Sequence, residues 1–147
     1  MYKVLDVAKY VIAKCEELDE VVSNLKLQKI LYFIQAEFLV VKGQPCFEER
    51  LEAWDFGPVA PDVYHEYKVY GAAGIPAARY AKSEDIIELF QGQDKELADG
   101  IIEECVKYTA SELVAITHKQ DPWMDAYRKG RGAQISRDSI TRFFEKD

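Results

Sequence analysis

With three cysteines and two histidines in 147 residues, the chain has little from which to build a disulfide framework or a metal centre. Cys15, Cys46 and Cys105 are odd in number, widely spaced and free of any CxxC pair, so they read as reduced thiols. His65 and His118 stand apart, with no HExxH motif and no repeat of carboxylate ligands, and no metal is expected. Gly71, Gly74 and the glycines of the GRG at 130–132 match neither G-x-G-x-x-G nor a Walker-type loop, so no nucleotide or other cofactor is expected. No apolar run approaches the roughly 18–20 residues of a membrane span, and the opening MYKVLDVAKYVIAK lacks the apolar stretch and cleavage site of a signal peptide. These absences predict a cytoplasmic protein without membrane insertion.

What is present is apolar and aromatic material in ordinary proportion. Hydrophobic residues make up 48% and charged residues 31% of the chain, enough for one core in a single domain over residues 1–147. The formal net charge of −7 disfavours nucleic acid and favours a basic partner. A local exception, Arg128, Lys129, Arg131 and Arg137, reads as a solvated loop, because only Tyr127 accompanies it for stacking.

Apolar spacing predicts a mainly α protein, a compact multi-helix bundle. Val4, Val7, Ala8, Val11, Ile12, Cys15 and Leu18 share one helical face, and the acidic group Glu16, Glu17, Asp19 and Glu20 marks its end. Residues 24–42 are apolar on nearly every side, which predicts a central helix capped by Ser23 or Asn24 and stopped at Gly43. Residues 46–57 carry no helical period and predict a short extended or hairpin segment. Pro61 suits a first helical turn, with Val63, Tyr67 and Tyr70 on one face up to Gly71. The small residues 72–81 read as a connector. Further helices are predicted from Ser83 to Phe90, from Asp94 to Tyr108, from the Thr109/Glu112 capping box, from Asp121-Pro122, and from Ser136 with Ile135 and Ile140 as a hydrophobic staple.

Two groups of residues stand out as candidate sites. Gln28, Tyr32 and Gln35 fall at i, i+4 and i+7 on the central helix and draw a polar stripe on an apolar rod. They either pin the extended segment by bonding its backbone or present amides and a phenol to a partner; the apolar remainder of the helix favours the internal role. The second group is an aromatic elbow. Trp54, Phe56, Tyr64 and Tyr67 surround the Gly57-Pro58 turn, whose restricted backbone would hold large rings in fixed positions and leave little entropy to lose on association. Trp54 and Trp123 fit equally well as plugs of the bundle. His65, Glu66 and His118 make a hydrolase or nuclease the rival reading, weakened by the lack of a placed nucleophile.

In combination, LKLQKILYFIQ, the E-A-W-x-x-G-P-V turn at 52–59, the T-H-x-x-x-P-W segment at 117–123 and the terminal ISRDSITRFF resemble the Panacea antitoxin domain family, also described as SocA-like or GepA-type phage-associated. The resemblance spans roughly residues 4–144 and includes Leu27, Gln28, Lys29, Tyr32, Gln35, Trp54, Gly57, Pro58, Tyr64, His118 and Trp123. It implies a helical, non-enzymatic domain of bacteria, prophages and mobile elements that binds and neutralises the protein toxin of an adjacent gene. Some relatives instead act as adaptors that deliver a toxin to a Clp-type protease. Partner contacts are expected at Trp54, Phe56, Gly57, Pro58, Tyr64 and Tyr67.

Overall fold

The computed structural model describes residues 1–145. Helix α1 (Val4–Glu17) buries Val4, Val7, Ala8, Val11, Ile12 and Cys15, the face set by its apolar period. It ends at the acidic cluster, where Asp19 takes a left-handed φ of 64°. Helix α2 (Asn24–Lys42) starts at Ser23, whose hydroxyl accepts from the Lys26 amide, and stops at Gly43 in the left-handed conformation. It packs against α1 and against later helices and strands on several sides, which is why it is apolar almost all round.

After α2 the chain is extended. Strands β1 (Leu51–Trp54) and β2 (Gly57–Val59) form an antiparallel hairpin with Asp55 and Phe56 at its tip. Helix α3 (Pro61–Tyr67) follows with proline in its first turn and runs into a 3-10 turn over Lys68–Tyr70. Two one-turn helices, α4 (Ala77–Tyr80) and α5 (Glu84–Ile87), lead to α6 (Gly92–Cys105). Then come α7 (Ala110–His118), α8 (Asp121–Lys129), a two-residue strand β3 (Gln134–Ile135) and α9 (Arg137–Glu145).

The capping box of α7 is complete: the Thr109 hydroxyl accepts from the Glu112 amide at 3.1 Å and the Glu112 carboxylate from the Thr109 amide at 2.8 Å. At α9 the Ser136 hydroxyl accepts from the Ser139 amide, and Ile135 and Ile140 are both buried.

The sheet order is β2-β1-β3, all antiparallel. Chain 72–81, expected as a connector, instead contains α4, whose Ala77 is buried in the core. Strand β3 was not signalled by any alternation, being two residues long. All three cysteines are free and buried, and burial pushes the Cys15 and Cys105 thiols up to about 12. No helix among the described residues is long and apolar enough to cross a membrane.

Candidate functional site at the aromatic hairpin

The hairpin sits on α2, and the polar groups of α2 hold the backbone on either side of it. Gln35 Oε1 accepts from the amides of Cys46 and Phe47 at 2.7 and 3.2 Å, while its Nε2 donates to the Phe47 carbonyl at 3.0 Å. Gln28 Oε1 accepts from the Ala60 amide at 2.9 Å, and its Nε2 donates to Asn24 Oδ1. Lys29 Nζ donates to the Pro58 carbonyl at 3.0 Å. Tyr32 reaches elsewhere and donates to Gln120 Oε1 at 2.7 Å. All four side chains are buried, so the stripe works inside the fold, and its amides satisfy backbone groups that the extended segment could not satisfy itself. Strand β2 lies at the sheet edge, and the bonds to Pro58 and Ala60 cover that edge.

A second set of contacts reaches the hairpin from α7 and α8. Trp123 Nε1 donates to the Trp54 carbonyl at 2.8 Å, and His118 Nε2 donates to the Asp55 carbonyl at 2.9 Å. His118, Trp123 and Tyr127 stack in series, with ring centroids 4.2 and 4.5 Å apart; the last two are i and i+4 on α8. Asp55 accepts from Tyr127 Oη at 2.5 Å and from Arg131 Nε at 2.8 Å, with Arg131 Nη2 bonded to its other oxygen. The Arg131 guanidinium and the Tyr127 hydroxyl hold the Asp55 carboxyl down at about 2.

Between these anchors lies a groove of about 790 Å³, whose walls include Leu25, Trp54, Phe56, Val59 and Tyr64, with Lys68 and Arg131 on the lining as well. Trp54 and Tyr64 are half-buried, and their rings meet edge to face at 4.9 Å. Trp54 Nε1 donates to Glu52 Oε1, so the indole is fixed at its polar end too. Phe56, at the tip, is 65% exposed.

Three of the expected contact residues lie inside the fold. Tyr67 is fully buried with its ring against Tyr80 at 5.0 Å and does not line the groove. It belongs to the face it shares with Val63, which is also buried. Gly57 and Pro58 are buried as well and shape the turn from within. Gly57 has a φ of +106°, and a Cβ there would stand 2.7 Å from Lys29 Cε and 2.8 Å from Thr117 Oγ1. Glycine is therefore demanded by both conformation and space.

The residues of the rival catalytic reading lie in the same neighbourhood. His65 packs its ring against Tyr64 at 5.5 Å, and His118 is engaged by Asp55 and Trp123 as described. Among the described residues no group of three or more His, Cys, Asp or Glu is arranged to hold a metal ion. The basic loop is partly neutralised internally, since Arg128 pairs with Asp125, Arg131 with Asp55, and Arg137 donates to the Glu48 carbonyl.

Sequence reasoning missed Leu25, Val59 and Lys68 as groove walls and Asp55 with Arg131 as a clamp. Leu25 and Val59 carried only a generic apolar signal. The Asp55–Arg131 pair, 76 residues apart, carried none.

Residues 27–124 match the family described as Antitoxin SocA-like, Panacea domain. That stretch includes the three groups of α2 that hold the hairpin, the hairpin itself, and His118 and Trp123; Tyr127 and Arg131 lie beyond it. Antitoxin SocA of Caulobacter vibrioides (strain NA1000 / CB15N) is 36% identical over 138 residues, covering 88% of this chain and 72% of that protein. No solved structure matches the chain. With two thirds of its length inside the family's matched region and a relative of this identity along most of it, the chain belongs to the SocA-like Panacea antitoxin family.

Proposed function

We propose that the protein is a non-enzymatic antitoxin module of the cytoplasm that neutralises a protein toxin, encoded by an adjacent gene in a phage or mobile-element context, by binding it directly at the aromatic groove. The observation that carries this reading is Phe56: a phenylalanine left 65% exposed on a turn whose backbone is bonded from α2, α7 and α8. An exposed ring on a mobile loop would lose much of its binding energy to ordering. On a fixed turn beside Trp54, Tyr64 and Leu25 it loses little. The net charge of −7 would speed encounter with a basic partner and make association salt-dependent.

Coexpression with the product of the neighbouring reading frame tests the proposal. That product alone is expected to arrest growth, and the wild-type chain to relieve the arrest. Phe56→Ala is the cleaner probe, because truncating an exposed ring removes little of the core; Trp54→Ala also loses packing. Phe56→Ala should fold normally by circular dichroism and bind the toxin about thirtyfold more weakly, the loss of about 2 kcal/mol that marks a binding hot spot. Full relief of arrest by folded Phe56→Ala and Trp54→Ala variants would remove the groove from the docking face. Relief that disappears in a host lacking Clp protease would assign the protein to the adaptor class instead.

A further inference from the structure

Helix α2 buries two lysines in different ways. Lys26 is 4% exposed and has a counter-ion, with Nζ 2.8 Å from the Glu20 carboxylate. Lys29 is 0% exposed, and among the described residues no carboxylate lies within ion-pair distance of its Nζ. Its hydrogen bond goes to the Pro58 carbonyl. A lysine without a counter-ion is a costly core residue, and a leucine or methionine would fill the same space without that cost. Its location is specific: the stem runs so close beneath Gly57 that even a methyl group there would overlap Cε.

We propose that Lys29 is a positioning residue for the docking face: by donating from beneath to the Pro58 carbonyl, it sets the conformation of the Gly57-Pro58 turn that presents Trp54 and Phe56. This rests on the groove being the docking face. The turn needs such a donor because β2 has no further strand beyond it, and the Pro58 carbonyl points away from β1 into a region closed to water. Gln28 performs the same service two residues later, at the Ala60 amide. The Thr117 hydroxyl of α7 also comes close to the Gly57 turn and itself donates to the Val114 carbonyl, and burial pushes the Lys29 amine down to about 7. In the closed turn the amine is then neutral above neutrality, whereas an opened, hydrated lysine regains a proton affinity near 10.4. Opening is favoured as pH falls toward 7 and suppressed as pH rises.

Amide hydrogen exchange on the full-length chain tests this without a partner, using wild type and Lys29→Met. The methionine keeps the apolar stem and removes the donor. Relative to wild type, the variant is expected to lose protection over residues 52–60 progressively as pH rises from 7 to 9, by about tenfold or more, while α6 keeps wild-type protection. From pH 7 to pH 9, after correction for intrinsic exchange, wild-type protection over 52–60 should rise by about tenfold or more, within the limit of roughly tenfold per pH unit for one linked proton. Lys29→Met should give a flat profile. Wild-type protection in the variant, an equal loss in α6, or a pH profile shared by both proteins would each overturn the assignment. In the coexpression assay, folded Lys29→Met should relieve arrest less well than wild type, and equal relief would also overturn it. Failure of wild type to relieve arrest would strike the docking reading alone, since the exchange comparison stands without it.

Discussion

The hairpin of residues 51–59 is anchored in two ways that differ chiefly in access to water. The anchor from α2 consists of Gln28, Lys29 and Gln35, all buried, each bonding backbone of the segment from Cys46 to Ala60. The anchor from α7 and α8 ends in Asp55, Tyr127 and Arg131, which form more charged bonds at the surface. By number of bonds the second anchor matches the first, five to five. By energy it is the weaker, because water replaces any exposed bond that breaks, whereas a buried group left alone bears its full desolvation cost. The buried anchor therefore determines whether the hairpin forms, and the exposed one trims how its tip is held.

Removing Gln35 should give the largest effect on stability. Gln35→Leu leaves two amides and one carbonyl of Cys46 and Phe47 unpaired in a region without solvent. At about 1–3 kcal/mol for each orphaned group, partly relaxed, a loss of about 3–5 kcal/mol is expected. Thermal unfolding followed by circular dichroism would register this as a drop of roughly 10 °C or more for a chain of this size. A drop of only a few degrees would mean that water enters this region, and the contrast between the two anchors would then be false.

Gly57→Ala comes next, because it strains the point where both anchors meet. The added Cβ encounters Lys29 Cε and Thr117 Oγ1 below 3 Å, at a φ that favours glycine, so a cost of about 2–3 kcal/mol is expected. Gly43→Ala serves as the control, since its φ is also positive but nothing lies within 4 Å. That substitution should cost about 1 kcal/mol. Equal melting midpoints for the two variants would show that backbone conformation alone, and not the lysine beneath it, makes glycine necessary at 57.

Much of the buried anchor was legible in the sequence, and almost none of the exposed one. Spacing left two roles open for Gln28, Tyr32 and Gln35, and the apolar remainder of the helix favoured the internal one; Gln28 and Gln35 hold the segment, while Tyr32 reaches Gln120 instead. Lys29 sits in the same run, but a lysine ordinarily reads as solvent-facing, and only the all-round apolarity of α2 hinted otherwise. Tyr67 shows how two local signals can conflict. Its place on a face with Val63 indicated the core, its aromatic neighbours indicated the elbow, and the helical period won. Asp55 meets Arg131 through a strand pairing that brings β3 to β1, and such a pairing of two residues leaves no periodic trace. The groove walls follow from that tertiary arrangement, so their exposure could not be read from spacing.

The smallest effect on stability is expected at Asp55, and pH separates it from the others. Its carboxyl is held at about 2 by Arg131 and Tyr127, below the ordinary carboxylate range, so its contribution to stability is fully present above pH 4. As pH falls from about 4 to 2 the carboxylate protonates, the clamp loses its charge, and the contribution disappears. Asp55→Asn should therefore unfold at nearly the wild-type temperature at pH 7, and the remaining gap should shrink further in about 0.5 M salt, which screens exposed pairs. Acid unfolding of wild type and variant should converge as pH falls to about 2. Binding is the readout in which Asp55 can matter more than its stability suggests: Phe56 is the next residue, and a loosened tip pays ordering entropy on association. A large loss of melting temperature in Asp55→Asn, persisting in high salt, would place the structural weight of the hairpin on its exposed anchor and reverse the ranking of the two.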